Sequence, residues 1–125
     1  MAVNYVASLK STRMAAVITA IDANAAPATI EIGTAGMAAV LCIITLADPS
    51  FTESGGVITM AGVPKSGVAS QSGTAAAARI KDGGGTSIVT GLTVGTSGAD
   101  INLNSTAISS GQTVTISSGT ITHSA

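Results

Sequence analysis

The sequence predicts a mainly β protein: an antiparallel β-sandwich or jelly-roll-like domain of about seven or eight strands, preceded by one N-terminal α-helix. Three features carry that expectation. Apolar residues recur at helical spacing near the start, where Met14, Val17, Ile18 and Ile21 fall at i, i+3, i+4 and i+7. Beyond residue 27 the period becomes alternating, as in half-buried strands. Gly and Ser clusters then punctuate the chain roughly every eight to twelve residues, the rhythm of turns in a sandwich or closed barrel.

The helix is expected over roughly residues 9 to 23, with Ser8 or Ser11 capping its start. Asn24 suits the left-handed position beyond its end, and Pro27 stops it from resuming. Met14, Val17, Ile18 and Ile21 form its packing face, a stripe that needs a sheet to cover. Residues 1–26 thus read as an arm and amphipathic helix, and residues 27–125 as the β-sandwich of a single structural domain.

Strands are expected near 28–33, 39–46, 57–62, 74–81, 86–94, 99–104 and 113–122. The run Val40 to Leu46 is apolar on both parities, which predicts a central strand covered on both faces. Asp82-Gly83-Gly84-Gly85 joins two alternating runs and permits positive φ, so residues 74–94 read as a hairpin. Ala75 to Ala78 have little volume and let a second layer approach closely. In the last strand Val114 and Ile116 share a parity that Ile121 breaks, which predicts a bulge near Gly119.

Composition bounds the chemistry. The chain has 125 residues, 46% hydrophobic but only 2% aromatic, so its core must be built from Val, Ile, Leu, Met and Ala around Tyr5 and Phe51. Such a core buries little area per residue, and association with copies is a common way to recover it. Charged residues make up 9% and the net charge is -1. That leaves no basic field for phosphates and no aromatic platform for bases, so nucleic acid is not an expected partner. A surface made soluble by Ser, Thr, Asn and Gly tolerates close packing against copies of itself.

Cys42 stands alone inside Ala39-Val40-Leu41-Cys42-Ile43-Ile44, so it reads as a buried small hydrophobe without an intrachain disulfide. Lys10 to Ile21 followed by Ala23-Asn24-Ala25 has the outline of a secretory signal, but Thr19 and Asp22 interrupt its apolar stretch. No cleaved signal is expected, and no apolar run approaches the roughly 18 residues of a membrane span.

No catalytic, cofactor or metal site is expected. An enzyme needs converging groups, whereas the carboxylates are scattered at 22, 31, 48, 53, 82 and 100, and His123 lies at the tail. One Cys and one His cannot complete a zinc site. Asp48, Glu53, Asp82 and Asp100 read as solvated turn residues, since their spacing matches no calcium loop. Gly62-Val63-Pro64-Lys65-Ser66-Gly67 has the glycines and Lys-Ser of a phosphate loop, but Pro64 has no amide hydrogen to give, and a flexible inter-strand loop is expected. Asn104-Ser105-Thr106 fits the glycosylation acceptor pattern, which has no meaning without secretion.

Several stretches carry a resemblance. They are Leu46-Ala47-Asp48-Pro49-Ser50-Phe51 running into Gly55-Gly56-Val57-Ile58-Thr59, and Gly95 to Thr106 with Ile108 and Gly111 to Thr122. The helix ending near Asp22-Ala23-Asn24 and the run Ile30-Glu31-Ile32-Gly33-Thr34 belong with them. Together they cover most of the chain and resemble a family of small phage virion structural proteins found among head and decoration genes. Members carry aromatics in a middle and in the last strand, where this chain has Ala76-Ala77-Ala78-Arg79-Ile80 and Ser117-Ser118-Gly119, which implies a thinner core.

The resemblance implies a capsid decoration or cement subunit, located on the phage particle surface and made in the host cytoplasm. Its implied partners are the major capsid protein or another virion protein and copies of itself, a trimer being favoured, with no membrane involved. Val3, Tyr5 and Val6 are the candidate assembly anchor, because the segment before the helix is more apolar than a free arm requires. The alternatives are a neck, tail or minor capsid component, or a carbohydrate-binding or adhesive β-module, the latter handicapped by the shortage of rings.

Overall fold

The computed structural model describes residues 6–23, 27–47 and 50–122. The protein is mainly β, with one α-helix at the N-terminus, α1 (Ala7–Ile21). Eleven strands follow among the described residues: β1 (Thr29–Gly33), β2 (Val40–Thr45), β3 (Phe51–Ser54), β4 (Val57–Met60), β5 (Lys65–Val68), β6 (Gly73–Thr74), β7 (Ala77–Lys81), β8 (Ser87–Gly95), β9 (Ile101–Leu103), β10 (Ala107–Ile108) and β11 (Thr113–Thr122).

The helix begins two residues earlier than the expected start near residue 9, and ends at Ile21 rather than near residue 23. Val6 takes the cap position with extended backbone and no side-chain cap, so the expected Ser8 or Ser11 cap is not made. The reason is exposure: Val6 is 67% exposed, and solvent can satisfy the first amide donors. Ser8 and Ala15 instead lend their carbonyls to the hydroxyls of Thr12 and Thr19. The helix closes at Asp22, whose amide reaches the Ile18 carbonyl, while the Asn24 position lies outside the described residues. Met14 and Ile21 are buried, and Val17 and Ile18 pack half-buried against the same core.

The main sheet runs in the order β2-β1-β7-β8-β9-β11-β4-β3, with β5 also paired to β11. It is mixed, because β8 and β9 pair in parallel through Val94, Gly95, Ile101 and Asn102. Strand β11 organises one half. Its first residues hold β5, its last hold β4, and β9 pairs with its middle from the other side. Strands β4 and β5 are therefore one interrupted strand laid along β11. Between Ile116 and Ser118 the strand carries one residue more than β9, so the bulge foreseen near Gly119 falls just ahead of it. Parity flips there: Val114 and Ile116 face inward before the bulge and Gly119 after it.

The sheet curls until β2 and β5 approach, which produces two layers around one core. The Ser70 amide donates to the Leu41 carbonyl at 2.8 Å, and a Cβ on Gly67 would sit 2.8 Å from Ile44 Cγ1 and 3.2 Å from the Ile43 carbonyl oxygen. This corrects the expected central position of residues 40–46: β2 ends the sheet and pairs only with β1. Its double apolar parity has another cause. The chain after β5 folds over its open edge, so Leu41 and Cys42 are both buried although they point to opposite sides, while Ile43 is 54% exposed.

The expected strand 74–81 is broken in two. Ala75 donates to Thr106 and Ala76 to Gly33, which carries the chain from the small β6–β10 ribbon to the main sheet. The hairpin at 82–86 forms as read, with β7 and β8 antiparallel, Gly85 at φ 87°, and Asp82 Oδ1 accepting from the amides of Gly84 and Thr86. Strands β3, β5 and β10 were not anticipated. Lys65, Ser66 and Gly67, expected in a flexible loop, are held instead by the ladder to β11.

The core is aliphatic, with Phe51 as its one ring among the described residues. Helix α1 lies on its β3–β4 side. The contact is tight at Gly56, where φ is +86° and a Cβ would meet Lys10 Cβ at 2.8 Å, so no larger residue fits there.

Candidate functional site

Each described carboxylate is engaged within the fold. Asp22 Oδ2 accepts from the Ser50 amide and ties the end of α1 to the start of β3. Glu53, expected in a loop, lies in β3, and its Oε2 accepts from the Gly56 amide to close the β3–β4 turn. Asp82 organises the β7–β8 turn.

Asp100 clamps residues 96–100, the short connection that lets β9 run parallel to β8. Its Oδ2 accepts from the Thr93 amide at 3.0 Å, and its own amide donates to Thr93 Oγ1 at 2.9 Å. Asn102 completes the clamp, accepting from the Ala99 amide and donating to the Ala99 carbonyl and to Ser118 Oγ. Asp100 and Asn102 thus tie the connection to both of the strands it joins and, through Ser118, to β11.

Glu31 is the most buried of the described carboxylates, with 7% of its surface exposed. The β1–β7 register sets Glu31 opposite Arg79, with Lys81 on the same face of β7. Arg79 Nε donates to Oε1, and Lys81 Nζ lies 3.3 Å from Oε2. Burial pushes the Glu31 carboxyl up, but the hydrogen bonds and charges of Arg79 and Lys81 outweigh it and hold the group below its ordinary range. The sequence reading missed this triad. Its only signal was the i, i+2 spacing of Arg79 and Lys81 on one strand, and nothing local pointed to Glu31 as their partner.

The remaining candidates do not converge. Cys42 is fully buried, and burial pushes its thiol up, away from the reactive thiolate. Among the described residues no group of His, Cys, Asp or Glu is arranged to hold a metal ion, there is no surface pocket, and no helix is long and apolar enough to cross a membrane. Val3, Tyr5, Asp48 and His123 lie outside the described residues. Of the proposed anchor only Val6 is described, exposed at the head of α1.

What the structure offers outward is surface. Across β3, β4 and the end of β11, Thr52, Thr59 and Thr120 are register partners, and all three are exposed. Beyond them Ser66 Oγ and Thr115 Oγ1 lie 3.0 Å apart between β5 and β11. The outward positions of these four strands carry no charged residue. Comparison with protein-family models, curated proteins and solved structures finds no match for this chain.

Proposed function

We propose that the protein is a structural subunit of a phage particle, a decoration or cement protein on the head shell that acts as a homo-oligomer, with the trimer favoured. One observation carries the reading beyond the sequence resemblance. The carboxylates of Asp22, Glu31, Glu53, Asp82 and Asp100 are all engaged in turns, clamps and one ion-paired triad. A chain that uses its acidic groups to hold loops and strands has the chemistry of a building block, since catalysis needs such groups aimed at a common point.

The partner in this reading is the major capsid protein or another virion protein, and the segment containing Val3, Tyr5 and Val6 is the anchor onto it. The test is sedimentation of the purified full chain with particles lacking it, beside a variant without residues 2–7. Saturable binding of the full chain, lost on truncation while circular dichroism stays β-rich, supports the proposal. A full chain that never sediments with particles refutes the virion role, and a truncated chain that decorates them at full occupancy refutes the anchor. Dose-dependent binding to a glycan array by a chain that ignores particles would favour the adhesive module.

A further inference from the structure

We infer that Arg79 and Lys81 form a receiving site for a carboxylate of an acidic partner protein, with Glu31 as the resident anion that holds both cations in place and Ile43 as the apolar contact beside them. For the identity of the partner the inference rests on the assembly-subunit reading above; the site itself rests on the β1–β7 register.

The register builds the site. Ile43, Glu31 and Arg79 are partners across β2, β1 and β7, so they form one row, and Lys81 follows on β7 opposite Thr29. Their neighbours Ile30, Ile32 and Ile80 point the other way and are buried in the core, which places the row on the outer side of the sheet. Two cations share one carboxylate, so the cluster keeps a surplus positive charge on a chain whose net charge is -1. Arg79 reaches Glu31 through Nε. A guanidinium bound through Nε still offers the outer edge formed by its two Nη groups, the fork that matches a carboxylate. The Arg79 and Lys81 side chains are 29% and 25% exposed, whereas that of Glu31 is 10% exposed, so solvent meets the cations rather than the anion.

Charge selects the occupant. The nearest carboxylates in the chain do not cancel the surplus: Asp82 is turned into its own hairpin, and Asp100 is held at Thr93 on the β9 side of β8. The described carboxylates of a second copy are committed in the same way to their own chain, which points to a different protein as the donor. A nucleic-acid strand fits poorly, since it brings a phosphate at every step where the site has one surplus charge. Phe51, the one described ring, is buried and cannot stack on a base. Ile43, 54% exposed beside the charged row, suits a protein surface, where an apolar anchor next to an arginine is a common centre of contact.

The experiment is a nuclear magnetic resonance titration of the full chain with a short capped peptide alternating Glu and Leu, beside the same peptide with Gln for Glu and a single-stranded oligonucleotide. The Glu peptide should shift the amides of Glu31, Ile43, Arg79 and Lys81, and about 0.5 M salt should suppress the effect. The Gln peptide and the oligonucleotide should leave these amides unmoved. Arg79→Lys keeps the charge and removes the fork, and should weaken binding about fivefold. Glu31→Gln removes the resident anion and should tighten it by a similar factor, a gain that a purely structural triad would not produce. Lys65→Gln, on β5, is the control and should bind as the parent does. Shifts gathered at Lys10 and Arg13 instead, equal binding of the Gln peptide, preference for the oligonucleotide, or a Glu31→Gln chain that binds no better each overturn the inference. The parent titration needs no variant to fold, so it decides the site alone. A chain that takes the peptide but ignores particles keeps the site and loses the virion role; one that decorates particles and ignores the peptide keeps the role and loses the site.

Discussion

Replacing Glu31 by Gln tests how much of the fold depends on the triad. The substitution keeps the shape and removes the charge. Arg79 and Lys81 would then face each other with side chains 29% and 25% exposed and no anion between them. Removing one partner from a fully buried pair costs about 3 to 5 kcal/mol, whereas surface pairs contribute about 0 to 1. Partners that keep a quarter of their exposure fall between, so the expected loss is about 2 kcal/mol. For a domain of this size that lowers Tm by roughly 6 to 10 °C.

The pH dependence has a definite sign. The folded carboxyl titrates below its ordinary value, so its contribution is complete above that value and is lost as pH falls through the lower, folded one. Urea melts of parent and Glu31→Gln at neutral pH and at steps down to about pH 3 measure both effects. The two chains should differ at pH 7 and converge in acid. Equal stability at neutral pH, or an undiminished gap in acid, would refute the assignment of the stabilisation to the ion pairs.

Three further outcomes follow from packing. Ile18→Asp places a carboxylate against the core beneath α1 and should cost several kcal/mol, read as a lower Tm and reduced helical signal; an unchanged melt would mean the helix does not depend on that face. Gly67→Ala drives a Cβ into Ile44 and toward the Ile43 carbonyl, so a destabilisation of about 1 to 3 kcal/mol is expected, with amide exchange of Ser70 accelerated. Cys42 should resist a neutral-pH thiol reagent until the protein is unfolded by denaturant, since the group is buried and its thiol raised; rapid labelling of the native chain would contradict the closed β2–β5 seam.

The parts of the fold that were legible in the sequence are those written in local chemistry. Four apolar residues at helical spacing marked α1, Asp82 and its glycines marked a hairpin, and the broken parity of Val114, Ile116 and Ile121 marked a bulge. Strands β3 and β5 carried no such mark. Thr52-Glu53-Ser54 and Lys65-Ser66-Gly67 have no apolar alternation, and they become strands because β4 and β11 supply partners. The edge position of β2 was hidden for a related reason: a strand covered by a fold-over at its open edge has the same apolar signature as one inside a sheet.

The triad and the hydroxyl face were hidden more deeply. Glu31 and Arg79 are 48 residues apart, and Thr52, Thr59 and Thr120 come from three separate strands, so each arrangement exists only once the register is fixed. Both arrangements nevertheless follow from one economy in the sequence. With 9% of residues charged, engaging the acidic groups in turns and one triad leaves few to decorate the surface. The outward positions of the β11 half are then filled by threonine and serine, which stay soluble as hydroxyls yet dehydrate at far lower cost than charges. The triad works at the opposite limit, inside one molecule and sensitive to protons. The division places acid sensitivity in that one triad and leaves the outward face of the β11 half neutral.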